Sequence, residues 1–368
     1  MSERGPQRRV GVVMGGWSGE HEVSLATGNA VTKALRRRGH DVVQIVIPSR
    51  SGADGQRREP SGGGYDLVGA LRQADVEVAF LALHGRMGED GCVQGLLEIE
   101  GIPYTGSGVL ASALAMDKVK AKELFQLYNI PTPAYYSVSS AANLADVEAI
   151  HQHFGFPVIV KPRGEGSSLA LTKVMAPSEL TPALERVFEF DDWALVERYV
   201  QGAEITVAIL NGQVLGALEV RPRCGLYDYH SKYTAGATEY IVPAPLSPTR
   251  YQGVLHLAAR AAEALGVWGA ARTDLIVTPG ENEYVLEVNT LPGMTETSLL
   301  PKLAASAGYD FADLCEAIVD GARLHTPCRQ PTATGEEGSR RSGVAPAPRA
   351  PAPRAVGEVC ELPVAKSA

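Results

Sequence analysis

Two periods alternate along this chain, and the switches between them mark its elements. Val10–Met14 is a continuous apolar run ending at Gly15-Gly16, which predicts a buried strand. The next segment places Val23, Ala26, Ala30, Val31, Ala34 and Leu35 on one helical stripe, with Gly39 as its C-terminal stop. Val42–Ile47 and Val76–Leu83 predict two more strands, separated by a polar Gly/Ser/Arg loop over 49–64. Strand–helix–strand alternation of this kind specifies a parallel α/β layer. A single helix is predicted from Ser107 to Tyr128, ending at Ile130-Pro131-Thr132-Pro133, a breaker suited to a domain boundary.

Beyond the breaker the pattern shortens to period two. Strands are predicted at Val158–Lys161, Ala194–Tyr199, Ile205–Leu210 and Val214–Val220, the last two flanking Asn211-Gly212, a strong hairpin signal. A helix over Tyr251–Leu265 precedes strands at Arg272–Val277 and Tyr284–Val288, and no internal repeat is visible. From about Thr326 the chain turns to Pro, Ala and Arg with few large apolar residues, a composition expected to stay disordered. That tail holds six basic and four acidic residues, so its +2 leaves −10 on the remainder of a chain of net charge −8.

The negative balance and the lack of a basic stripe exclude nucleic acid as the expected partner. No apolar stretch is long enough for a signal peptide or a membrane span, which predicts a cytoplasmic protein. Five scattered cysteines without CxxC spacing read as free thiols. Thirty-nine glycines exceed the usual share of about 7%, and many lie between predicted strands and helices, where phosphate loops occur.

Candidate chemistry is clearest in the last strand pair. A hairpin centred on the Pro279-Gly280-Glu281-Asn282 turn sets Asp274 opposite Glu287 and Arg272 opposite Asn289. Alternation then puts these four on one face and Leu275, Val277, Leu286 and Val288 on the other. Two opposed carboxylates and an amide carbonyl are hard oxygen donors suited to Mg²⁺ together with substrate phosphates; the acidic wet face of a surface hairpin would give the same pattern. Lys161 at a strand end, followed by Gly164-Glu165-Gly166-Ser167-Ser168, offers a cation and flexible N–H groups to phosphates, as a plain mobile loop also would. Glu197 to Val200 with Glu204 reads as an adenosine-binding hinge, weak by itself. Gly15-Gly16-Trp17-Ser18-Gly19 lacks GxGxxG spacing, which excludes a dinucleotide site.

Seven segments, in order across about residues 8–325, carry a resemblance. They are Gly15-Gly-Trp-Ser-Gly-Glu-His-Glu-Val-Ser24, Ala82-Leu-His-Gly-Arg-Met-Gly-Glu-Asp-Gly91, Pro103-Tyr-Thr-Gly-Ser-Gly-Val109, Met116-Asp-Lys118, Glu165-Gly-Ser-Ser168, Tyr227-Asp-Tyr-His-Ser-Lys-Tyr233 and Glu287-Val-Asn-Thr-Leu-Pro-Gly-Met-Thr295. The chain resembles the D-alanine–D-alanine ligases. The resemblance implies an α/β fold, α+β in its ATP-binding part: a three-domain ATP-grasp architecture with an N-terminal parallel α/β domain (1–106), a central domain (107–200), a C-terminal domain (201–325) and the tail (326–368). It implies ATP, two Mg²⁺ ions (Mn²⁺ as a substitute) and D-alanine as ligands, and commonly a homodimer. A D-alanyl phosphate forms first, and the second amine then attacks it to give the dipeptide for peptidoglycan.

Carried over by motif, Lys118 and Lys161 hold ATP phosphates, with Glu197, Val200 and Glu204 around adenosine. Asp274, Glu287 and Asn289 hold the metals, while Arg272 and the Gly293 N–H stabilise the tetrahedral intermediate. Glu20 takes the first amine, Ser298 and Leu299 the second carboxylate, and His84 assists deprotonation. Lys232 and Tyr233 lie in a closing loop, Tyr233 reaching Ser167. Three positions depart from the family pattern: Leu169-Ala170 replaces Val-Gly, His230-Ser231 replaces Glu-Ala, and Arg163-Gly164 is unusual. Alternatives from the same reading are a ligase making another D-aminoacyl product or a depsipeptide, against which Tyr233 argues, and a nucleotide-binding relative without turnover.

Overall fold

The computed structural model describes residues 7–49, 65–151, 154–166, 168–223, 227, 234, 236–280, 282–295 and 298–326. Ser167, His230, Lys232, Tyr233, most of the 49–64 loop and all but Thr326 of the tail lie outside the described residues.

The apolar runs of the first third become β1 (Arg9–Gly15), β2 (Asp41–Ile47) and β3 (Val78–Leu81), a parallel sheet in the order β2-β1-β3. Helix α1 (His21–Arg38) crosses between β1 and β2, burying Val31, Ala34 and Leu35 of the predicted stripe, whereas Val23 and Ala30 are half-buried and Ala26 is exposed. Three arginines in its last turn suit the negative end of the helix dipole. Gly39, at φ 96°, donates to the Arg36 carbonyl while His40 donates to that of Leu35, the paired bonds of a Schellman stop. Short helices α2 (Leu67–Gln73) and α3 (Cys92–Glu100) complete this layer.

The helix expected over 107–128 is two helices, α4 (Val109–Met116) and α5 (Lys118–Leu127). Asp117 breaks it with an extended ψ of 97°, and its carboxylate accepts the Val119 and Lys120 N–H groups as a new N-cap. Periodicity could not expose the break, since both halves bury apolar residues in near-continuous phase.

An antiparallel sheet follows: β4 (Tyr135–Ser139), β5 (Val158–Pro162), β6 (Thr172–Val174) and β7 (Trp193–Arg198), ordered β4-β7-β5-β6, with α6 (Leu144–His151) and α7 (Pro177–Phe188) interposed in sequence. A five-stranded antiparallel sheet holds β8 (Ala203–Leu210), β9 (Gln213–Pro222), β10 (Thr238–Ile241), β11 (Ala270–Val277) and β12 (Glu283–Asn289), ordered β10-β9-β8-β11-β12. Asn211 and Gly212 turn β8 into β9 with φ of 49° and 82°, the mirror-image turn predicted for that dipeptide. Helices α8 (Pro248–Ala264), α9 (Leu299–Ser306) and α10 (Phe311–Asp320) follow in sequence, and all three pack into the cores around that sheet. Among the described residues no helix is long and apolar enough to cross a membrane.

The predicted β11–β12 register holds where the chemistry lies: Arg272 pairs with Asn289, and Asp274 with Glu287. Past that point the ladder slips by one, so that Leu275 faces Val285. The extra residue is Leu286, which was expected on the apolar face. It lines the cleft described below, and Val285 takes its place in the core. The bulge keeps Glu287 on the wet face while the turn ahead of it is one residue out of symmetry.

Candidate active site

A cleft of about 560 Å³ opens where the three sheets meet. Its walls include Glu20, His84, Lys118, Lys161, Glu197, Val200, Glu204, Arg272, Asp274, Glu287, Asn289, Gly293, Ser298 and Leu299, so every described residue expected at the site lies there.

The first wall is the carboxyl edge of the parallel sheet, between β1 and β3, where strand order reverses and ligands of such sheets bind. Glu20 follows β1 and His84 follows β3. Ser18 ties the two loops by donating to the His84 carbonyl at 2.7 Å and accepting the Glu20 N–H at 3.2 Å. Two glycines make room for the Glu20 carboxylate: a methyl group on Gly166 would stand 2.9 Å from Oε2, and one on Gly85 3.2 Å. The His84 ring contacts Thr27 Oγ1 through Nε2 (3.3 Å) and Glu89 Oε1 through Nδ1 (3.4 Å). Burial works against charge on this imidazole. The Glu89 carboxylate, with a smaller contribution from Glu20, outweighs burial and leaves His84 above its ordinary value.

The second wall gathers buried charge. Lys161 at the end of β5 donates to Glu197 Oε1 on β7 at 2.6 Å, and Lys122 on α5 lies 2.9 Å from Oε2. Burial would raise the Glu197 carboxyl, but the two ammoniums hold it at about 2. Lys118, the first residue of α5, donates to the Glu165 carbonyl at 2.6 Å and stands 3.8 Å from Glu287 Oε2. Arg163, one of the expected departures from the family pattern, donates twice to Asp117 (2.8 and 2.6 Å), and its carbonyl accepts the Lys118 N–H, so it fastens the end of β5 to the helix break. Arg86, beside His84, bonds Glu165 at 2.7 Å and joins the first wall to the second.

The third wall is the wet face of β11–β12. Arg272 grips Asp274 with two N–H groups (2.9 and 2.8 Å), and Thr206 donates to the same carboxylate at 2.8 Å. Burial disfavours charge on Arg272, yet Asp274 raises its pKa. Asn289 Oδ1 accepts the Leu291 N–H at 3.0 Å, fixing the amide on the turn that leads to Gly293. Ser298 caps this turn, bonding the Thr295 N–H (3.1 Å) and hydroxyl (2.8 Å) at the start of α9. Among the described residues no three His, Cys, Asp or Glu side chains form a ready cage. Mg²⁺ needs none: it takes one or two carboxylates and completes its shell with phosphate oxygens and water, and Asp274, Glu287 and Asn289 supply that donor set.

Sequence reasoning missed Lys122, Glu89, Thr206 and the Arg86–Glu165 link. Lys122 left one signal: a lysine between Val119 and Phe125, at three-residue spacing, where a buried stripe calls for an apolar side chain. Tyr227, with Tyr240, is part of the cleft wall, their hydroxyls 3.3 Å apart. Trp17 and Trp268 pack, as expected; the indole of Trp268 donates to the Gly321 carbonyl.

Known proteins resemble the chain over most of its length. The model of the D-ala D-ala ligase N-terminus matches residues 9–107, and that of the D-ala D-ala ligase C-terminus matches 124–320. The D-alanine–D-alanine ligase of Syntrophotalea carbinolica is 47% identical over 318 residues, 86% of this chain and 97% of the relative. Among solved structures, the D-alanine–D-alanine ligase of Bacillus anthracis complexed with ATP superposes with a TM-score of 0.72 at 34% identity, over 85% of this chain and 97% of that one. The VanG D-Ala:D-Ser ligase of Enterococcus faecalis gives 0.72 at 29% identity, covering 86% and 99%.

Proposed function

The chain belongs to the D-alanine–D-alanine ligase family, and from that premise we propose that its cleft joins two D-alanines into the dipeptide of peptidoglycan, converting ATP to ADP and phosphate. The observation that supports this reading is the convergence of the Glu20 carboxylate, Lys118 and Lys161, and the Asp274–Glu287 strand pair on one cleft.

Glu20 and His84, at the switch point of the parallel sheet, receive the first D-alanine, with Glu20 on its ammonium. The carboxylate oxygen of that alanine attacks the γ-phosphorus, and ADP departs with the bridging oxygen. Lys118 and Lys161 hold the phosphates, and Val200 and Glu204 face adenosine. Glu197, whose carboxylate lies between two lysines, acts there through its main chain. Asp274, Glu287 and Asn289 hold Mg²⁺, which when bound neutralises charge on the phosphates. Ser298 and Leu299 at the start of α9 position the second carboxylate. The second amine, relieved of a proton with help from His84, attacks the acyl carbon. The negative charge gathering on the carbonyl oxygen meets Arg272 and the Gly293 N–H, donors already in place before the reaction, and phosphate leaves as the peptide bond forms. Ser167, Lys232 and Tyr233 are proposed to complete the closed site. ATP as substrate makes the cytoplasm the proposed location.

The test is ADP release with ATP and Mg²⁺ in the presence of D-alanine, L-alanine, or D-alanine with D-serine or D-lactate, the products weighed by mass spectrometry. D-alanine-dependent release of the dipeptide is expected. ATP binding without such release would sink the assignment, and a mixed product preferred over the dipeptide would redirect it. Glu287→Gln and Asp274→Asn should each lower turnover at least about a hundredfold with the circular dichroism spectrum retained, since several kcal/mol of phosphate stabilisation is lost with a metal ligand. Near-normal turnover in either variant would remove the metal assignment.

A further inference from the structure

Lys122 has no exposed surface, and the reaction described above gives it no role. Its ammonium donates to Thr132 Oγ1 at 2.6 Å, and Thr132 in turn donates to the Val285 carbonyl of β12 at 2.8 Å. The lysine is therefore held from behind by the segment leaving α5, which is itself bonded to the outer edge of β12. It does not line the cleft; Lys161 and Glu197 do. The Glu197 carboxylate stands between two cations, Lys161 on the cleft side at 2.6 Å and Lys122 on the far side at 2.9 Å.

A buried carboxylate needs a counter-ion, and removing its partner is strongly destabilising. Lys161 is committed to Glu197 as the structure stands. Its ammonium has donors to spare for a nucleotide phosphate but only one charge, which it must then share with that phosphate, and without Lys122 this would leave the Glu197 carboxylate under-neutralised. We propose that Lys122 is the standing counter-ion of Glu197, a positioning residue that releases Lys161 to the phosphates of ATP; the inference rests on reading the cleft as a nucleotide site. The trio carries a net charge of +1, so one positive charge remains for the ligand while Glu197 stays neutralised from behind. Thr132 fixes the angle from which this happens and couples it to the strand that carries Glu287.

The test uses the full-length chain and ATP with Mg²⁺, reading the dissociation constant by calorimetry and KM for ATP and D-alanine separately. Lys122→Met leaves Lys161 as the sole partner of Glu197. The Kd and KM for ATP should rise at least about tenfold, the scale set by losing one partner of a buried pair, while KM for D-alanine stays unchanged. Combining Lys122→Met with Glu197→Gln keeps the net charge of the group and removes the carboxylate that needs a partner. ATP affinity should then return to within about threefold of the parent, the ordinary scatter of such cycles. If the single variant does not fold, the double variant carries the test through its ATP affinity alone. Unchanged ATP affinity in Lys122→Met, or an equal loss in single and double variants, would overturn the inference. An unsubstituted chain that binds no ATP would overturn the nucleotide reading as well, whereas normal binding by that chain with an unaffected Lys122→Met overturns this inference alone.

Discussion

Ala170 stands in the left-handed region at φ 52°, two residues after Ser168 at φ 55°. The resemblance singled out this alanine because the pattern it implies has glycine there, and the alanine's backbone shows what such a substitution costs. An L-residue in this region is strained by roughly 1–2 kcal/mol, partly offset by the greater unfolded-state entropy of glycine. The methyl group also packs against the core of the four-stranded sheet. Ala170→Gly should therefore stabilise the chain, by no more than about 1 kcal/mol, and raise its thermal midpoint. A lowered midpoint would show that the packing of that methyl outweighs the strain. At this scale the sequence was informative wherever a residue type is demanded by geometry or charge. Asp274, Glu287 and Lys161 were found by type and place, whereas Glu20 came only with the resemblance; all four line the cleft. It was silent on pairings between distant segments, such as His84 with Thr27 and Arg86 with Glu165, because spacing along the chain says nothing of how two segments approach each other.

Elements were legible in proportion to their periodicity. The register of β11–β12 was readable near its open end, since two polar pairs had to share one face. The bulge at Leu286 was not, since a turn of four residues fits a ladder of either parity. The break at Asp117 has the same origin: a cap replaces two lost backbone bonds and leaves the apolar stripe intact. That break matters to the site because it makes Lys118 the first residue of a new helix. Burial opposes ionisation of Asp117, but Arg163 and the two N–H groups more than compensate and hold its pKa below the ordinary carboxylate value. A depressed pKa means that the stabilisation is present above the unfolded-state value of about 3.9 and is lost as pH falls through the folded one. Asp117→Ala should cost on the order of 1 kcal/mol at neutral pH, and its deficit relative to the parent should close in acid. Asp117→Asn, which can still cap, should keep part of that stability and lose only what depends on charge. Urea denaturation at pH 7 and in acid measures both, and a deficit that does not shrink with acid would refute the charged-cap account.

On the scale of the whole molecule, three sheets contribute one wall each to a single cleft, and two of those walls touch through the Arg86–Glu165 pair and the packing of Gly166 against Glu20. The loop after β5, which we propose faces the phosphates, and the Glu20 loop, which we propose faces the first amino acid, thus share a boundary. A ligand that orders one side orders the other, and such coupling is reciprocal. A non-hydrolysable ATP analogue and D-alanine should each raise the thermal midpoint, as any ligand specific to the folded state does, and together they should raise it by more than the sum of the two shifts. Couplings of this kind are typically about 1–3 kcal/mol. The Arg86 side chain is 53% exposed, and pairs so placed contribute up to about 1 kcal/mol. Arg86→Ala should therefore weaken the coupling by no more than about fivefold, leave each single-ligand shift nearly intact, and not abolish the excess. The larger share then belongs to the Glu20–Gly166 contact. Gly166→Ala, which sets a methyl group 2.9 Å from the Glu20 carboxylate, should remove more of the coupling than Arg86→Ala does. The reverse ranking, read from the same melting curves, would place the link between the two substrates on the ion pair at the rim.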